Sequence, residues 1–259
     1  GDNHLKNIVR LGGSASKLHL LLLLAAVNMD EQALTHLKAL LESMVYYSTV
    51  NQIKTNELER LYAQWCKQIR EIYTDEELTS FINNKIKPTI SQWKVNNRSN
   101  FMRIGFDSMQ QYRVKFILAR ITKYVDVRRK NGGDASNVAE FYEGGIEIEH
   151  IMPQKYSAAY GISEDDYNAA KQRLGNLTLL EKTINASIGD DAFASKSEAY
   201  KQSAYYLTRS IAQLDDVGQQ TAINRMNQKL RSWSSWGPSM IEDRQAILYD
   251  LTEEIWSID

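Results

Sequence analysis

The chain has 259 residues, 43 % of them hydrophobic and 24 % charged, so it can bury the core of one large domain or two small ones. A formal net charge of −1 argues against a globally basic nucleic-acid-binding protein, and a single cysteine excludes an internal disulfide and a thiolate zinc cluster. The longest apolar run, Leu18 to Val27, is shorter than the roughly 20 residues of a membrane span. We therefore expect a soluble, cytoplasmic protein with a core helix in that run.

The first hundred residues show helical spacing without any recognisable motif. Apolar residues recur every three to four positions from about Glu31 to Tyr47 and from Asn56 to Tyr73. A capping box, Thr74 with Glu77, predicts the start of another helix, which we expect to stop before Pro88. Because the chain begins Gly-Asp and has no charged-then-apolar leader, we expect an N-terminal part of the protein to be missing.

A basic segment lies between Arg103 and Lys130. A helix is predicted from Ser108, with an apolar stripe on one face, basic residues on the other, and an end at Lys130 to Asp134. The basic face predicts contacts with DNA phosphates, although a plain solvated helix face stays open as the alternative. The residues predicted to contact DNA from this helix are Arg113, Lys123, Arg128 and Arg129.

Two short strand-like runs follow the glycine-containing loop. The first, Ile146 to Glu149, runs into His150 and ends before Pro153, and the second spans Gly175 to Leu180. Helices are expected from Ser163, after the second run, over Gly218 to Trp233 and over Pro238 to Trp256. The predicted fold class is mainly α, with a small β-containing element embedded between about residues 144 and 201.

Residues in this element could cleave a phosphodiester bond. His150 could act as a base near neutral pH, while Glu149 and Asn185 offer the oxygen ligands that Mg²⁺ or Mn²⁺ prefers. Strand alternation places Glu149 and His150 on opposite faces unless the strand bends near His150. A satisfied structural histidine therefore remains the alternative on these residues alone.

The runs "IEIEHIMPQ" and "RLGNLTLLEKTINASIGDDAFASKSEAYKQS" resemble a known family. They are similar to the HNH (ββα-metal) nuclease domain at the C-terminus of GmrSD-type, modification-dependent restriction enzymes. The shared features are the acidic-His-Ile-x-Pro-Gln opening, the Gly-Asn-Leu-Thr-Leu-Leu run, an asparagine nine positions after Asn176, and the Phe-x-x-Lys that ends at Lys196. The likeness covers roughly residues 108 to 256.

The resemblance implies a role for each matching position. His150 would deprotonate the attacking water, and Glu149 and Asn185 would bind Mg²⁺ or Mn²⁺. Asn176 would tie the loop after the first strand to the second strand. Three basic residues would lie near the scissile phosphate: Lys196, Arg173 and Lys182.

The resemblance also implies the organisation and activity of the chain. Residues 1–100 would form a helical connector, and residues 101–259 an HNH nuclease domain with its finger at about 144–201 and C-terminal helices. The chain would be a metal-dependent endonuclease or nickase for double-stranded DNA, working in a restriction or antiphage system beside a nucleotide-hydrolysing sensor domain. A catalytically silent interaction or DNA-binding module and an RNA-cutting finger are the alternatives.

Overall fold

The computed structural model describes residues 2–13 and 17–258. Helices dominate and a two-stranded antiparallel sheet is embedded among them, so the predicted fold class is confirmed. The chain divides into two compact units, Gly1–Phe101 with Trp256–Asp259 and Met102–Ile255. The predicted ranges 1–100 and 101–259 include Gly1, residues 14–16 and Asp259, which lie outside the described residues.

The first unit consists of short and medium helices. Asp30 caps the longest of them, because its carboxylate accepts a hydrogen bond from the Ala33 amide at 2.6 Å. The predicted capping box is present, with Thr74 and Glu77 each bonded to the other's backbone amide. The helices are α1 (Asn3–Gly12), α2 (Leu18–Ala25), α3 (Glu31–Val50), α4 (Thr55–Ile69), α5 (Asp75–Phe81), α6 (Lys87–Lys94) and α7 (Asn97–Phe101).

The α-helix that begins at the capping box ends at Phe81, before Pro88 as predicted, but the chain stays helical beyond it as far as Lys94. After α5 the chain forms one π-helical segment, Ile82–Ile86, and enters α6 with Pro88 in its first turn. A proline is tolerated there because the first-turn amides have no intrahelical partner.

The expectation of a core helix at Leu18 to Val27 is only partly correct. Leu22 is fully buried, but Leu21 is 50 % exposed and Leu24 is 69 % exposed. A helix built almost wholly from leucine cannot bury every face when neighbours cover only one of them. No helix in the described ranges is both long enough and apolar enough to cross a membrane.

The second unit is built around a buried helix, α8. Almost every side chain from Val114 to Val125 is buried, including Arg120, whose guanidinium donates to the Ala135 carbonyl. Ser108 does not begin the helix as predicted, because its hydroxyl is bonded to the Gly105 amide at 2.7 Å. The elements are α8 (Gln111–Arg128), β1 (Ile146–His150), α9 (Glu164–Gln172), β2 (Leu177–Glu181), α10 (Lys182–Ile188), α11 (Phe193–Tyr200), α12 (Tyr206–Ala212), α13 (Ala222–Asn227) and α14 (Pro238–Ile255).

The helix predicted over Gly218 to Trp233 is much shorter than expected. Gln220 has a positive φ of 67°, which a right-handed helix cannot contain, and Thr221 caps α13 through a bond from the Asn224 amide. By contrast, α14 has almost the predicted bounds.

The two strands and α10 form a compact ββα unit. β1 pairs with β2 in antiparallel register, with Glu149 opposite Thr178 and His150 opposite Leu177. α10 begins at the residue after β2, and α9 lies in the long connection between the strands. An apolar cluster packs around this unit: Ile151, Met152, Tyr167, Leu180, Ile188, Phe193, Tyr200, Ile211, Trp236 and Ile241.

Candidate functional site

Asn176 joins the end of β1 to the start of β2. Its side-chain oxygen accepts bonds from the Met152 amide at 2.7 Å and from Trp236 Nε1 at 2.9 Å. Its side-chain nitrogen donates to the carbonyls of Met152 and Lys171 at 3.1 and 2.9 Å. The residue is fully buried, so these four bonds replace all contact with water.

Two side chains of α14 hold the turn that contains Asn176. The buried guanidinium of Arg244 donates to the carbonyls of Gly175 and Leu177 at 2.8 and 2.7 Å. Gln245 accepts from the Gly175 amide at 3.1 Å and donates to the Ile104 carbonyl at 3.1 Å. Burial lowers the Arg244 pKa to about 9, which leaves the guanidinium charged at neutral pH.

Glu149 is buried at the end of β1 and is bound by two side chains of α11. Its Oε1 accepts from Lys196 Nζ at 2.7 Å and from the Tyr200 hydroxyl at 2.9 Å. Burial raises the Glu149 pKa, and the Lys196 ammonium acts in the opposite direction. The second carboxylate oxygen is not part of either bond.

His150 lies on the other side of the strand end. Its ring packs edge-on against Phe106, with centroids 4.9 Å apart. Its Nδ1 lies 3.4 Å from the side-chain nitrogen of Gln154, an exposed residue, whereas its Nε2 is buried without a hydrogen-bond partner in the described ranges. Burial, and to a smaller extent Lys196 and Lys171, lower the His150 pKa to about 4, so the ring is neutral at neutral pH.

Asn185 lies on α10 and contacts β1. Its side-chain nitrogen donates to Glu147 Oε2 at 2.9 Å, which leaves its carbonyl oxygen outside that bond. Glu147 and Glu149 share a face of the strand because they are two residues apart, a separation of roughly 7 Å. Asn185 is therefore brought to the face that carries Glu149.

The donor set on this face fits a hard divalent cation. Glu149 and Asn185 each offer an oxygen, the ligand type that Mg²⁺ and Mn²⁺ prefer. No group of three or more His, Cys, Asp or Glu side chains that could hold a metal occurs among residues 2–13 and 17–258. A cation on this face would therefore depend on an amide ligand and on water.

A comparison of the chain with models of protein families identifies its family. The model of the family described as GmrSD restriction endonucleases, C-terminal domain, matches residues 91–251, more than half of the chain. The chain belongs to this family. The predicted resemblance is confirmed, and the HNH assignment is consistent with the family. A search of curated proteins found no match.

The GmrSD C-terminal match includes every predicted site residue, but the structure does not bring all of them to one surface. Lys196 is buried, with 1 % of its surface exposed, and its ammonium group contacts Glu149. Arg173 is half-buried and donates to Gln245 through Nε at 3.3 Å, whereas the Lys182 side chain is 70 % exposed at the start of α10.

The residues in and just after α8 that are predicted to contact DNA have carboxylate or aromatic partners within this GmrSD C-terminal domain. Lys123 Nζ lies 2.9 Å from Glu140 Oε2, and Arg129 forms ion pairs with Asp126 and Asp215 at 3.7 and 3.1 Å. Arg113 and Arg128 lie over the rings of Tyr112 and Tyr124. The assignment of these residues as DNA contacts stays a prediction.

The sequence interpretation missed several residues that shape the site of this GmrSD-family domain. Strand alternation could have placed Glu147 beside Glu149, and the helical spacing of four from Lys196 could have suggested Tyr200. No local pattern points to the residues of the C-terminal segment that hold the turn, because they lie 60 to 70 residues away in sequence. These are Trp236, Arg244 and Gln245.

Proposed function

We propose that this chain is an HNH-type, metal-dependent endonuclease or nickase that cuts DNA as the effector domain of a restriction or antiphage system. The observation that carries the proposal is the His150 and Glu149 pair at the end of β1, with Asn185 on the helix that directly follows β2. Membership of the GmrSD C-terminal family supports it. From the same resemblance we propose a nucleotide-hydrolysing sensor domain as its partner.

His150 is the proposed general base. A neutral imidazole can accept a proton from water, and burial keeps this ring neutral at neutral pH. Nδ1 is the nitrogen that faces the exposed Gln154, whereas Nε2 is buried. We therefore assign the proton transfer to Nδ1, with the Gln154 side chain moving aside for the attacking water.

Glu149 and Asn185 are the proposed cation ligands. Glu149 would use the oxygen that Lys196 and Tyr200 do not contact, and Asn185 would use its side-chain carbonyl. A bound Mg²⁺ or Mn²⁺ supplies positive charge for the phosphate and the leaving oxygen. Asn176 keeps the end of β1, and with it His150, fixed against the start of β2.

Incubation of the full chain with supercoiled plasmid tests this proposal. Conversion to open-circular or linear DNA is expected with Mg²⁺ or Mn²⁺, and none with EDTA. Intact plasmid under all these conditions would favour a catalytically silent module. In that module, the ion pair of Lys196 with Glu149 would be purely structural. Single-stranded RNA in a parallel reaction separates DNA cleavage from RNA cleavage, because phosphate chemistry alone does not distinguish them.

A further inference from the structure

Two side chains of α11 converge on one oxygen of Glu149. Lys196 and Tyr200 are four residues apart and so lie on the same face of the helix. Lys196 Nζ donates to Oε1 at 2.7 Å and to the His150 carbonyl at 2.8 Å, and the Tyr200 hydroxyl donates to Oε1 at 2.9 Å.

All three groups are withdrawn from solvent. Glu149 is 6 % exposed, Lys196 1 % and Tyr200 0 %. A buried ammonium needs an opposite charge close by, and the Glu149 carboxylate supplies it. Lys196 therefore cannot reach a phosphate at the surface without leaving the Glu149 carboxylate buried and unpaired.

The geometry points to Lys196 and Tyr200 as positioning residues that hold Glu149 in its cation-binding orientation; this inference rests on the proposed function. Because both bonds go to Oε1, they fix the carboxylate rotation, and the other oxygen is the one assigned to the cation. Partners of a metal ligand typically change metal affinity or activity by about 10-fold to 100-fold when removed. Lys196 thus acts through Glu149 and not on the phosphate.

The base of α11 connects this pair to the rest of the finger. Phe193 stacks on Trp236 with ring centroids 5.4 Å apart, and Trp236 donates to Asn176. The same core therefore supports the helix that orients Glu149 and the asparagine that fixes the strand end. Tyr200 itself belongs to this core.

A titration of the full chain with Mn²⁺ in the absence of DNA tests the inference. The electron paramagnetic resonance signal reports the concentration of free Mn²⁺. Tyr200→Phe removes one hydroxyl and keeps the ring. We expect the dissociation constant for Mn²⁺ to rise about tenfold, with a parallel shift in the Mn²⁺ concentration for half-maximal cleavage and little change at saturation. Tyr156→Phe is the matched control, because its hydroxyl donates to the Ile162 carbonyl in the same core.

The outcomes separate the two proposals. In the first outcome, the wild type binds Mn²⁺, Glu149→Ala does not, and Tyr200→Phe binds it as tightly as the wild type. This outcome overturns the positioning role and leaves the proposed function standing. A wild type that neither binds Mn²⁺ nor cuts DNA overturns the proposed function and this inference together. Lys196→Met is a second probe, and an unaltered Mn²⁺ dissociation constant in its folded form would also contradict the role.

Discussion

At the residue scale, the side chain of Asn176 joins the two strand ends of the finger through four hydrogen bonds. Asn176→Ala leaves the Met152 amide and Trp236 Nε1 without their acceptor. Each buried donor that loses its partner costs roughly 1–3 kcal/mol. We expect faster amide hydrogen exchange across residues 146–190, measured by mass spectrometry, with α3 unaffected.

Asn137→Ala is the control for this change. Asn137 is exposed and accepts one bond from the Ala139 amide, so its loss should leave exchange in the finger unchanged. Equal exchange in Asn176→Ala and wild type would mean that the four bonds of Asn176 are not needed to hold the strand ends together.

We expect His19 to make the stability of the first unit depend on pH. It is buried on α2, and burial lowers its pKa below the unfolded value of 6.5. The unfolded chain therefore binds the proton more readily, so stability is complete above about pH 6.5 and decreases as the pH falls through that value. His19→Leu should reduce the difference between urea midpoints at pH 7.5 and pH 5. An unchanged difference would exclude His19 as its source.

The sequence motif allowed its residues to be assigned to strands and helices, whereas the side chains that they contact could not be predicted. His150, Glu149 and Asn185 come to the ββα unit as the motif predicts, because adjacent strands and the following helix determine their positions. The resemblance predicts that Lys196 lies near the phosphate, and the sequence does not reveal the side chain with which it pairs. Its partner, Glu149, lies 47 residues away.

At the element scale, the Leu174–Asn176 turn lies very close to the backbone of α14. A Cβ on Gly175 would overlap the carbonyl oxygen of Ile241 and approach Gln245 to 3.0 Å. Backbone atoms cannot move aside as flexible side chains do. Gly175→Ala should therefore lower the free energy of unfolding by about 1–3 kcal/mol or more.

Gly133→Ala is the matched control, because a Cβ there meets nothing within 4 Å. Chemical denaturation of the two variants compares them directly. Similar stability of Gly175→Ala and Gly133→Ala would contradict the close approach of the turn to α14.

Elements with a clear start signal could be predicted well. Ser163 caps α9 and Pro238 opens α14 as expected. The misses have physical causes: the π segment before Pro88 depends on packing, and the positive φ of Gln220 has no sequence signature. The sequence predicts that the basic residues of α8 face solvent, but Arg120 is buried. Its hydrogen-bond acceptor, the Ala135 carbonyl, lies 15 residues away in sequence and so could not be recognised.

At the scale of the whole molecule, the proposed function requires a nearly neutral chain to hold DNA through local basic residues. Arg128 and Lys182 are the exposed probes, and Lys182 Nζ lies 4.0 Å from Glu147 Oε1, whereas Arg129 holds two carboxylates and its reversal would disturb the fold. We expect weak sequence preference and a steep loss of activity between about 50 and 200 mM salt. Arg128→Glu and Lys182→Glu should each reduce the log–log salt slope of binding by about 1.

The control for the salt experiment is Lys54→Glu, an exposed lysine in the first unit. Its salt slope should equal that of the wild type. Cleavage at one defined sequence, insensitive to salt, would show that the chain reads bases and does not rely on phosphates.

The cleavage rate of His150→Ala tests most directly the central claim, that His150 is the general base. Supercoiled plasmid with saturating Mn²⁺ should be cut about 10²-fold to 10⁴-fold more slowly than by wild type. The variant should remain folded, with a lower melting temperature because the buried ring packs against Phe106. His36→Ala, at an exposed position of α3, should cut at the wild-type rate. A folded His150→Ala protein that cuts as fast as the wild type would contradict the assignment of His150 as the base.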